Sequence, residues 1–421
     1  MTEAADRAAT IAELRRRLAR LGGLARATPQ LSPAGEAPPP ATPPGAPEQP
    51  EFRAERVADG TAWVRRVSID LGPFLERAGA PAPAGAGQLL HLAYAPGDPS
   101  WGEGLPSARD SDGAVAVLDI ETLGLRGSGV LAFLVGIGVP HGSRLHVDQL
   151  LLRDPGDEAA MLTAVLARLS TPWLLVTYNG RTFDLPVLRS RCIVNRLGIA
   201  PLEGRMHCDL LAPVRRLFRD RLGACTLRHA EVLLLGMERE GDAPGYEAPA
   251  RYRAWLSGRA PDALEPVVLH NQLDLCATMV LAARLAAHVE GRLVEPVHPA
   301  DRYHLGAHLE RRGVEDTAEV HYRAALAAAA GPWDAHAGHR LARRLRRGRD
   351  PGGAAEAMAI WSELWRRQPH DLRAARSLAV SLERAGALGE AIAICERCLR
   401  LCAEIGEWRL SRLRGAPRGG W

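Results

Sequence analysis

The alternation of apolar and polar positions predicts a set of strands and helices in the middle of the chain. Short apolar runs bounded by turn residues predict four β-strands, at Val115–Gly124, Val130–Val139, Leu145–Leu152 and Trp173–Tyr178. Apolar positions at helical spacing predict two helices, at Glu158–Leu169 and Leu185–Leu197. Three successive strands followed by helix, strand and helix predict an α/β fold with one mixed sheet flanked by helices.

The residues before this region show weaker patterns. Isoleucine and leucine recur at helical spacing among arginines in residues 1–27, which predicts a short basic amphipathic helix. Residues 28–50 are rich in proline and alanine without periodicity, and they predict a disordered linker. Residues 51–110 predict an irregular lead-in that can add edge strands, with weak strand patterns at Ala62–Leu71 and Leu89–Ala93.

Beyond residue 300 the composition turns to alanine, leucine, arginine and glutamate. A small residue followed four positions later by a bulkier one recurs in Ala318 and Tyr322, Ala357 and Trp361, and Ala391 and Cys395. The period of roughly 34 residues is typical of tetratricopeptide repeats, with a plain helical bundle as the alternative. We predict an all-α tetratricopeptide-repeat domain over residues 300–405, whose concave surface would hold a protein partner, and a flexible tail over residues 406–421.

Length and composition limit the class of protein. The 421 residues leave room for two or three domains, and a hydrophobic content of 47% is sufficient for buried cores. The net charge of +4 is mildly basic, so it permits a nucleic-acid partner without requiring one. Seven scattered cysteines, with no signal peptide and no run long enough to cross a bilayer, predict a cytoplasmic protein without membrane association.

The first predicted strand ends in two acidic residues. Asp119 and Glu121 are two positions apart, so both lie on one face of the strand and Ile120 lies on the other. Adjacent carboxylates repel each other unless a positive group lies between them. A divalent metal ion is the usual solution, because hard cations bind carboxylate oxygens. The alternative is an acidic strand end that faces water.

Candidate partners for this acidic pair occur far along the chain. Asp184 lies where a helix is predicted to begin, shortly after a turn at Asn179. His270 and Asp274 are four residues apart on a predicted helix over Val267–Leu281, so they share one of its faces. Asp274 lies in a largely apolar stretch, where an unpaired charge is costly, and it therefore requires a partner.

This inventory suits a two-metal site for phosphodiester hydrolysis, with Asp119, Glu121, Asp184 and Asp274 as its carboxylates. Two cations roughly 4 Å apart would hold the attacking water and the leaving oxygen. An all-oxygen ligand set favours two Mg²⁺ or Mn²⁺ ions over Zn²⁺. His270 is placed to take a proton from the water as a general base. An arginine held permanently in that cleft would argue against hydrolysis.

Three motifs carry a resemblance to a known family. They read L-D-I-E-T from Leu118, Y-N-G-x-x-F-D-L-P-x-L from Tyr178 and H-N-x-x-D-L from His270. In order and spacing they resemble the three exonuclease motifs of the DEDD 3′–5′ exonucleases, which have the ribonuclease H-like fold. The likeness is greatest to the YprB-like ribonuclease H-like domain proteins, and it includes the segment M-H-C-D-L-L from Met206.

The resemblance implies a ribonuclease H-like exonuclease domain over residues 111–295, in which the four carboxylates bind two metal ions. It also implies that Asn179 and Phe183 shape the second motif. These exonucleases usually place a tyrosine four residues, or a histidine five residues, before the last aspartate, whereas here His270 stands at the tyrosine spacing. A shift of one residue turns a side chain by about 100° around a helix, so the general-base role of His270 stays open.

Three more residues near the second motif are candidates with alternative roles. Asp209 is either a further ligand or support for one, or else a carboxylate that caps backbone at a strand end. His207 is either structural or catalytic, and the structural role is favoured. Tyr178 either stacks on a base or packs beside the turn.

Three functions follow as hypotheses. The first is a metal-dependent 3′–5′ exonuclease that acts on single-stranded DNA or RNA. The second is a nucleic-acid-binding or scaffolding protein that uses the nuclease fold without catalysis and the repeats for a partner. The third is an endonuclease that cuts a structured substrate, since the same fold and metal chemistry serve both kinds of cleavage.

Overall fold

The structure is a computed structural model that describes residues 51–80, 83, 85–93, 114–124, 130–203, 206–239, 242–293, 297–329, 331–348 and 351–415. The predicted basic helix over residues 1–27 and the predicted linker over residues 28–50 lie outside the described residues. The chain divides into two compact units, which are residues 1–215 with 224–293 and residues 216–223 with 294–421.

The N-terminal unit is built on a mixed sheet of seven strands. The strands are β1 Arg53–Val57, β2 Gly60–Asp70, β3 Val115–Thr122, β4 Ala132–His141, β5 Arg144–Leu151, β6 Leu174–Thr177 and β7 Met206–Asp209. Their order across the sheet is β1-β2-β5-β4-β3-β6-β7. The pairs β3–β6 and β6–β7 are parallel, and the other four pairs are antiparallel. The predicted mixed α/β sheet is therefore confirmed.

The lead-in differs from its prediction in one of two segments. The pattern at Ala62–Leu71 forms strand β2, and β1 and β2 extend one edge of the sheet. The segment predicted as a strand at Leu89–Ala93 is instead part of a helix. Its two buried leucines, Leu89 and Leu92, are three residues apart, which is a helical spacing that a short window does not distinguish from a strand.

Helices cover the sheet of the N-terminal unit. They are α1 Gly72–Arg77, α2 Ala86–Ala93, α3 Glu158–Leu169, α4 Asp184–Val194, α5 Ala200–Glu203, α6 Leu211–Leu222, α7 Leu227–Ala230, α8 Ala248–Leu256 and α9 Glu265–Val289. The last residues of α6 belong to the C-terminal unit. Phe133 of β4 stacks on Tyr252 of α8 with ring centroids 4.2 Å apart, which anchors α8 to the core.

Helix α9 carries the third motif and packs against β3 and β4. Its C-terminal half is buried almost all round, from Leu275 to His288. The segment Pro261–Val289 is long and apolar enough to cross a bilayer, contrary to the sequence prediction, but 67% of its most apolar window is buried inside the protein. A central helix covered on all sides needs this composition, because few of its positions reach water.

The C-terminal unit consists of helices. They are α10 Pro299–Arg311, α11 Glu315–Ala327, α12 Pro332–Arg347, α13 Pro351–Arg367, α14 Leu372–Arg384 and α15 Leu388–Gly415. A side chain at Gly306 would lie 2.8 Å from the ring of Tyr322, so α10 and α11 approach too closely for any residue but glycine. The predicted helical character is confirmed, whereas the tetratricopeptide assignment stays a prediction. Helix α15 reaches Gly415, so the predicted flexible tail over 406–421 is wrong up to that residue.

Candidate active site

The acidic pair lies on the central strand β3, where its neighbours hold it firmly. Asp119 is paired with Gly136 of β4, and Glu121 is paired with Leu134. A β-bulge follows directly after Glu121, which ends the regular pairing. Both acids therefore occupy one face of the sheet at the end of a rigid strand, as the alternation predicts.

The structure brings the four predicted carboxylates into one electrostatic cluster. The charges of Asp274, Asp184 and Glu121 all act on Asp119. Asp274 and Asp184 act on Glu121 in the same way. Because charge effects of this kind require proximity, strand β3, the start of α4 and the middle of α9 converge on one place.

Burial and mutual repulsion disfavour the ionised forms of Asp119, Glu121 and Asp184. Burial is the larger cause that raises the pKa of Asp119 and Glu121 well above the usual range, and the neighbouring carboxylates add to it. Burial raises the pKa of Asp184 to about 7, against hydrogen bonds that favour the anion. Bound protons or cations would relieve this repulsion.

A chain of amides holds Asp119 in place. Asn271 of α9 donates a hydrogen bond from Nδ2 to Asp119 Oδ2 over 2.8 Å. Gln149 of β5 donates to Asn271 Oδ1 over 2.9 Å, and Arg65 of β2 donates to Gln149 Oε1 over 2.6 Å. A side chain at Gly136 would collide with Asn271, so the glycine permits the close approach of α9 to β4 that this chain requires.

The second motif forms a tight turn that Asp209 fastens. Asn179 adopts a left-handed backbone with φ of 70°, which asparagine tolerates better than most residues. Asp209 Oδ1 accepts a hydrogen bond from the Asn179 amide over 2.8 Å, and Oδ2 accepts one from the Arg181 amide over 3.0 Å. Asn179 Oδ1 also accepts a hydrogen bond from the Thr182 hydroxyl over 2.7 Å. Of the two roles considered for Asp209, these contacts favour the backbone cap.

The other three candidates near this turn make structural contacts. Phe183 is partly buried against the hydrophobic core. Tyr178 donates a hydrogen bond from its hydroxyl to the Cys225 carbonyl over 2.9 Å, which directs the hydroxyl into the protein. His207 Nε2 lies 2.9 Å from the Thr177 hydroxyl, and burial lowers the pKa of this imidazole to about 4. His207 is therefore neutral at pH 7.

His270 lies beside Asp274 on α9, with Nε2 3.8 Å from Asp274 Oδ2. Its other nitrogen, Nδ1, lies 2.7 Å from Oδ1 of Asp242. A carboxylate on one ring nitrogen fixes the orientation of the imidazole and leaves the other nitrogen for chemistry. The tyrosine-like spacing of His270 thus places the ring next to the carboxylate cluster, with Asp242 as a support.

One cationic side chain reaches the cluster. Arg239 donates hydrogen bonds to Asp274 Oδ1 and, through Nε, to both carboxylate oxygens of the buried Glu231 over 3.1 and 2.9 Å. Its Nη1 also donates to Asp242 Oδ2 over 3.1 Å. The guanidinium is only 4% exposed, and among the described residues it is the one cation in contact with a carboxylate of the four. Its charge also lowers the pKa of Glu121 against the raising effects there.

The donor set fits hard divalent cations, but it is not assembled around one as it stands. Among the residues that the structure describes, no three His, Cys, Asp or Glu side chains form a group that could hold a metal ion. One oxygen of Asp274 is engaged by Arg239, and one oxygen of Asp119 is engaged by Asn271. Oxygen-only donors in a repelling cluster are nonetheless the chemistry that Mg²⁺ or Mn²⁺ requires.

Sequence reasoning missed the supporting residues Asn271, Gln149, Arg239, Asp242 and Glu231. Asn271 had a signal, since it stands beside His270 within the third motif. The others lie in a strand and in the segment that follows α7, where no periodicity marks them. Only the folded chain brings them to the carboxylates.

The geometry agrees with what comparison with known proteins shows. Residues 116–286 match the model of the family RNase_H_2, described as the RNase_H superfamily. Over these residues the chain is similar to the ribonuclease H superfamily. The match begins in β3 and ends in α9, so it covers the elements that carry all four carboxylates.

A curated relative is similar over the same part. The "Uncharacterized protein YprB" of Bacillus subtilis (strain 168) is 33% identical over 186 residues, which cover 44% of this chain and 45% of that protein. The chain thus spans less than half the length of this relative. The family B DNA polymerase of Pyrobaculum calidifontis has 14% identity and a TM-score of 0.34 over 49% of this chain and 28% of its own. At that score the likeness adds nothing to the assignment of the fold.

Proposed function

We propose that the N-terminal unit is a metal-dependent nuclease that hydrolyses phosphodiester bonds, as a 3′–5′ exonuclease on single-stranded DNA or RNA. The observation that carries the proposal is the convergence of four carboxylates from three distant segments on one buried site. Such convergence is costly for folding, and proteins retain costly charge clusters mainly where function requires them.

The residues divide the chemistry between them. Asp119, Glu121, Asp184 and Asp274 would hold two Mg²⁺ or Mn²⁺ ions, which when bound activate water and stabilise charge on the phosphate. His270 accepts the proton of the attacking water, and Asp242 holds the imidazole in position for that transfer. Asn271 keeps the carboxylate of Asp119 pointed into the site.

The Arg239 contact favours a second candidate, in which the fold binds nucleic acid without cutting it. If Arg239 stays on Asp274, Oδ1 of the fourth carboxylate is not available to a metal ion. The unit would then serve as a platform, with the C-terminal helices as the binding site of a protein partner. The cytoplasmic location of the protein is a further part of this proposal, supported by seven cysteines that are all free thiols.

A substrate panel separates these functions. End-labelled single- and double-stranded DNA and RNA are incubated with the full chain and Mg²⁺ or Mn²⁺, and products are resolved by length. Single-nucleotide ladders are expected from wild type and not from Asp119→Asn, whereas Asp262→Asn, an exposed carboxylate, should cut normally. Discrete internal fragments would indicate an endonuclease, and binding without cleavage under either metal would favour the non-catalytic platform.

A further inference from the structure

A groove on the C-terminal unit is lined by arginines from two helices. Its walls are Arg343 and Arg346 of α12 and Arg373, Arg376 and Arg384 of α14, together with His339, Ser377 and Val380. The groove has a volume of about 320 Å³. Both helices are the first members of successive helix pairs, which in helical repeats line one continuous face.

These five arginines lack carboxylate partners among the described residues. Arg343 donates from Nε to the His339 carbonyl of its own helix over 3.1 Å, and Arg346 lies 5.3 Å from the ring centroid of Trp361. The side chains of Arg373, Arg376 and Arg384 make no ion pair with any described residue. Four of the five are exposed, and only Arg346 is partly covered.

Other arginines of the same unit are paired, which makes the groove distinctive. Arg323 bridges Glu319 and Glu356, Arg340 contacts Glu310, and Arg344 contacts three acids. Arg366 and Arg367 contact Glu363 and Asp334. Five other arginines of the unit are thus paired with acids, whereas the five that line the groove are not.

Asp371, an acid beside the groove, is already engaged. Asp371 Oδ1 accepts hydrogen bonds from the amides of Arg373 and Ala374 at the start of α14. Its Oδ2 lies 2.6 Å from Nε2 of His339. Both oxygens of this carboxylate are used for structure, so its charge is tied to the helix start and to His339.

We propose that this arginine groove binds the phosphate backbone of a single-stranded nucleic acid. Guanidinium groups present planar donor pairs that match phosphate oxygens. The lining has one apolar side chain, Val380, and no exposed aromatic ring, so it offers neither the apolar anchors that peptides use nor a surface for base stacking. Recognition is therefore of the backbone and independent of base sequence.

The inference uses the proposed nuclease function only to choose nucleic acid among polyanions. Binding at the groove needs neither metal ions nor hydrolysis. If the protein binds nucleic acid through the groove and does not cut it, the groove proposal holds and the nuclease proposal is wrong. If the protein cuts nucleic acid but its binding does not depend on the groove arginines, only the groove proposal is wrong.

The test measures fluorescence anisotropy of labelled oligo(dT) and oligo(U) with the full chain in EDTA, across a range of salt concentrations. The double variant Arg376→Gln/Arg384→Gln is compared with Arg366→Gln/Arg400→Gln, which removes the same charge outside the groove. Each lost phosphate contact reduces the salt slope by about 0.7 for a single strand, so the groove variant should lower it by about 1.4 and weaken binding roughly tenfold.

The control variant should bind like wild type. If both variants lose the same amount of affinity, binding depends on the overall positive charge and not on the groove, which would overturn the proposal. Unchanged affinity in the groove variant would overturn it as well. Competition by polyglutamate at the same charge concentration as the oligonucleotide would also overturn it, in favour of an acidic peptide. Circular dichroism confirms that both variants fold, which these exposed side chains are expected to permit.

Discussion

Arg239 and Asp274 form an ion pair inside the carboxylate cluster, and the same guanidinium also grips the fully buried Glu231. The arginine thereby engages Oδ1 of Asp274, a carboxylate that the sequence predicts as a metal ligand. An arginine that stays in this cleft argues against hydrolysis. The function therefore depends on whether a divalent cation displaces Arg239 from Asp274. The nuclease and the non-catalytic platform can therefore be distinguished by measuring how Arg239 and a metal ion compete for Asp274.

Removing Arg239 should strengthen metal binding. The double variant Arg239→Gln/Glu231→Gln takes away the competing cation together with the charge of its buried partner Glu231. We expect Mn²⁺ to bind this variant about tenfold more tightly than wild type by isothermal titration calorimetry, which corresponds to about 1.4 kcal/mol. The single variant Arg239→Gln should instead destabilise the fold by roughly 3–5 kcal/mol, because it leaves the buried Glu231 with only the more distant Arg228, 3.6 Å away.

Glu231→Gln alone is the matched control, since it keeps Arg239 on Asp274. Equal Mn²⁺ affinity in wild type and the double variant would mean that Arg239 does not compete with the metal ion. Binding that appears only after removal of Arg239 would support the non-catalytic platform for the natural chain.

Asp242 should support catalysis through His270. In Asp242→Asn the carboxylate 2.7 Å from Nδ1 is lost while the size of the side chain is kept. We expect kcat to fall roughly 10- to 100-fold, the range typical of carboxylates that orient functional histidines, with KM nearly unchanged. Steady-state rates at several pH values check this, with Asp262→Asn as the charge-matched control. A variant that retains the wild-type kcat would show that Asp242 does not support catalysis through His270.

Gly136 should be sensitive to a single added methyl group. In Gly136→Ala the new carbon would meet Asn271 and Leu275 of α9, so the helix must move away from β4. We expect a loss of roughly 1–3 kcal/mol in the free energy of unfolding from this overpacking. Urea unfolding measures it, and Gly198→Ala, with no atom within 4 Å of the new carbon, should change it by less than about 0.5 kcal/mol. Equal effects at the two sites would contradict the close approach.

The C-terminal unit should lose stability in mild acid. Burial lowers the pKa of His308 to about 3 and that of His321 to about 4, and neighbouring arginines add to both shifts. A histidine in an unfolded chain has a pKa of about 6.5. Below pH 6.5 the unfolded state binds more protons than the folded state. The free energy of unfolding therefore decreases as the pH is lowered, by up to about 1.4 kcal/mol per pH unit for each histidine.

Urea unfolding at pH 7.5 and pH 5.0 measures this loss. The variant His308→Gln/His321→Gln cannot gain these charges, so it should lose clearly less stability between the two pH values than wild type. His370→Gln, at an exposed position, should behave like wild type. An identical loss in the double variant and wild type would place the acid sensitivity elsewhere.

Local pattern was sufficient for elements whose environment is uniform along their length. Helix α3 has the bounds that its apolar spacing predicts, Glu158–Leu169. Strand β3 was recognisable because it is buried on both faces and interrupted only by its acids. Pattern failed for Leu89–Ala93, where a few apolar residues fit either period and packing on the rest of the fold decides.

By itself the sequence determined the mixed α/β sheet, the helical C-terminal unit and the identity of the four acids, because periodicity and motif spacing are properties of neighbouring residues. Only the tertiary structure decided that Arg239, Asp242 and Glu231 surround Asp274, and that five arginines of α12 and α14 line one groove without an ion pair to a described acid. Local sequence patterns do not show which distant side chains will be in contact, because contacts and ion pairs between them form only when the elements pack together.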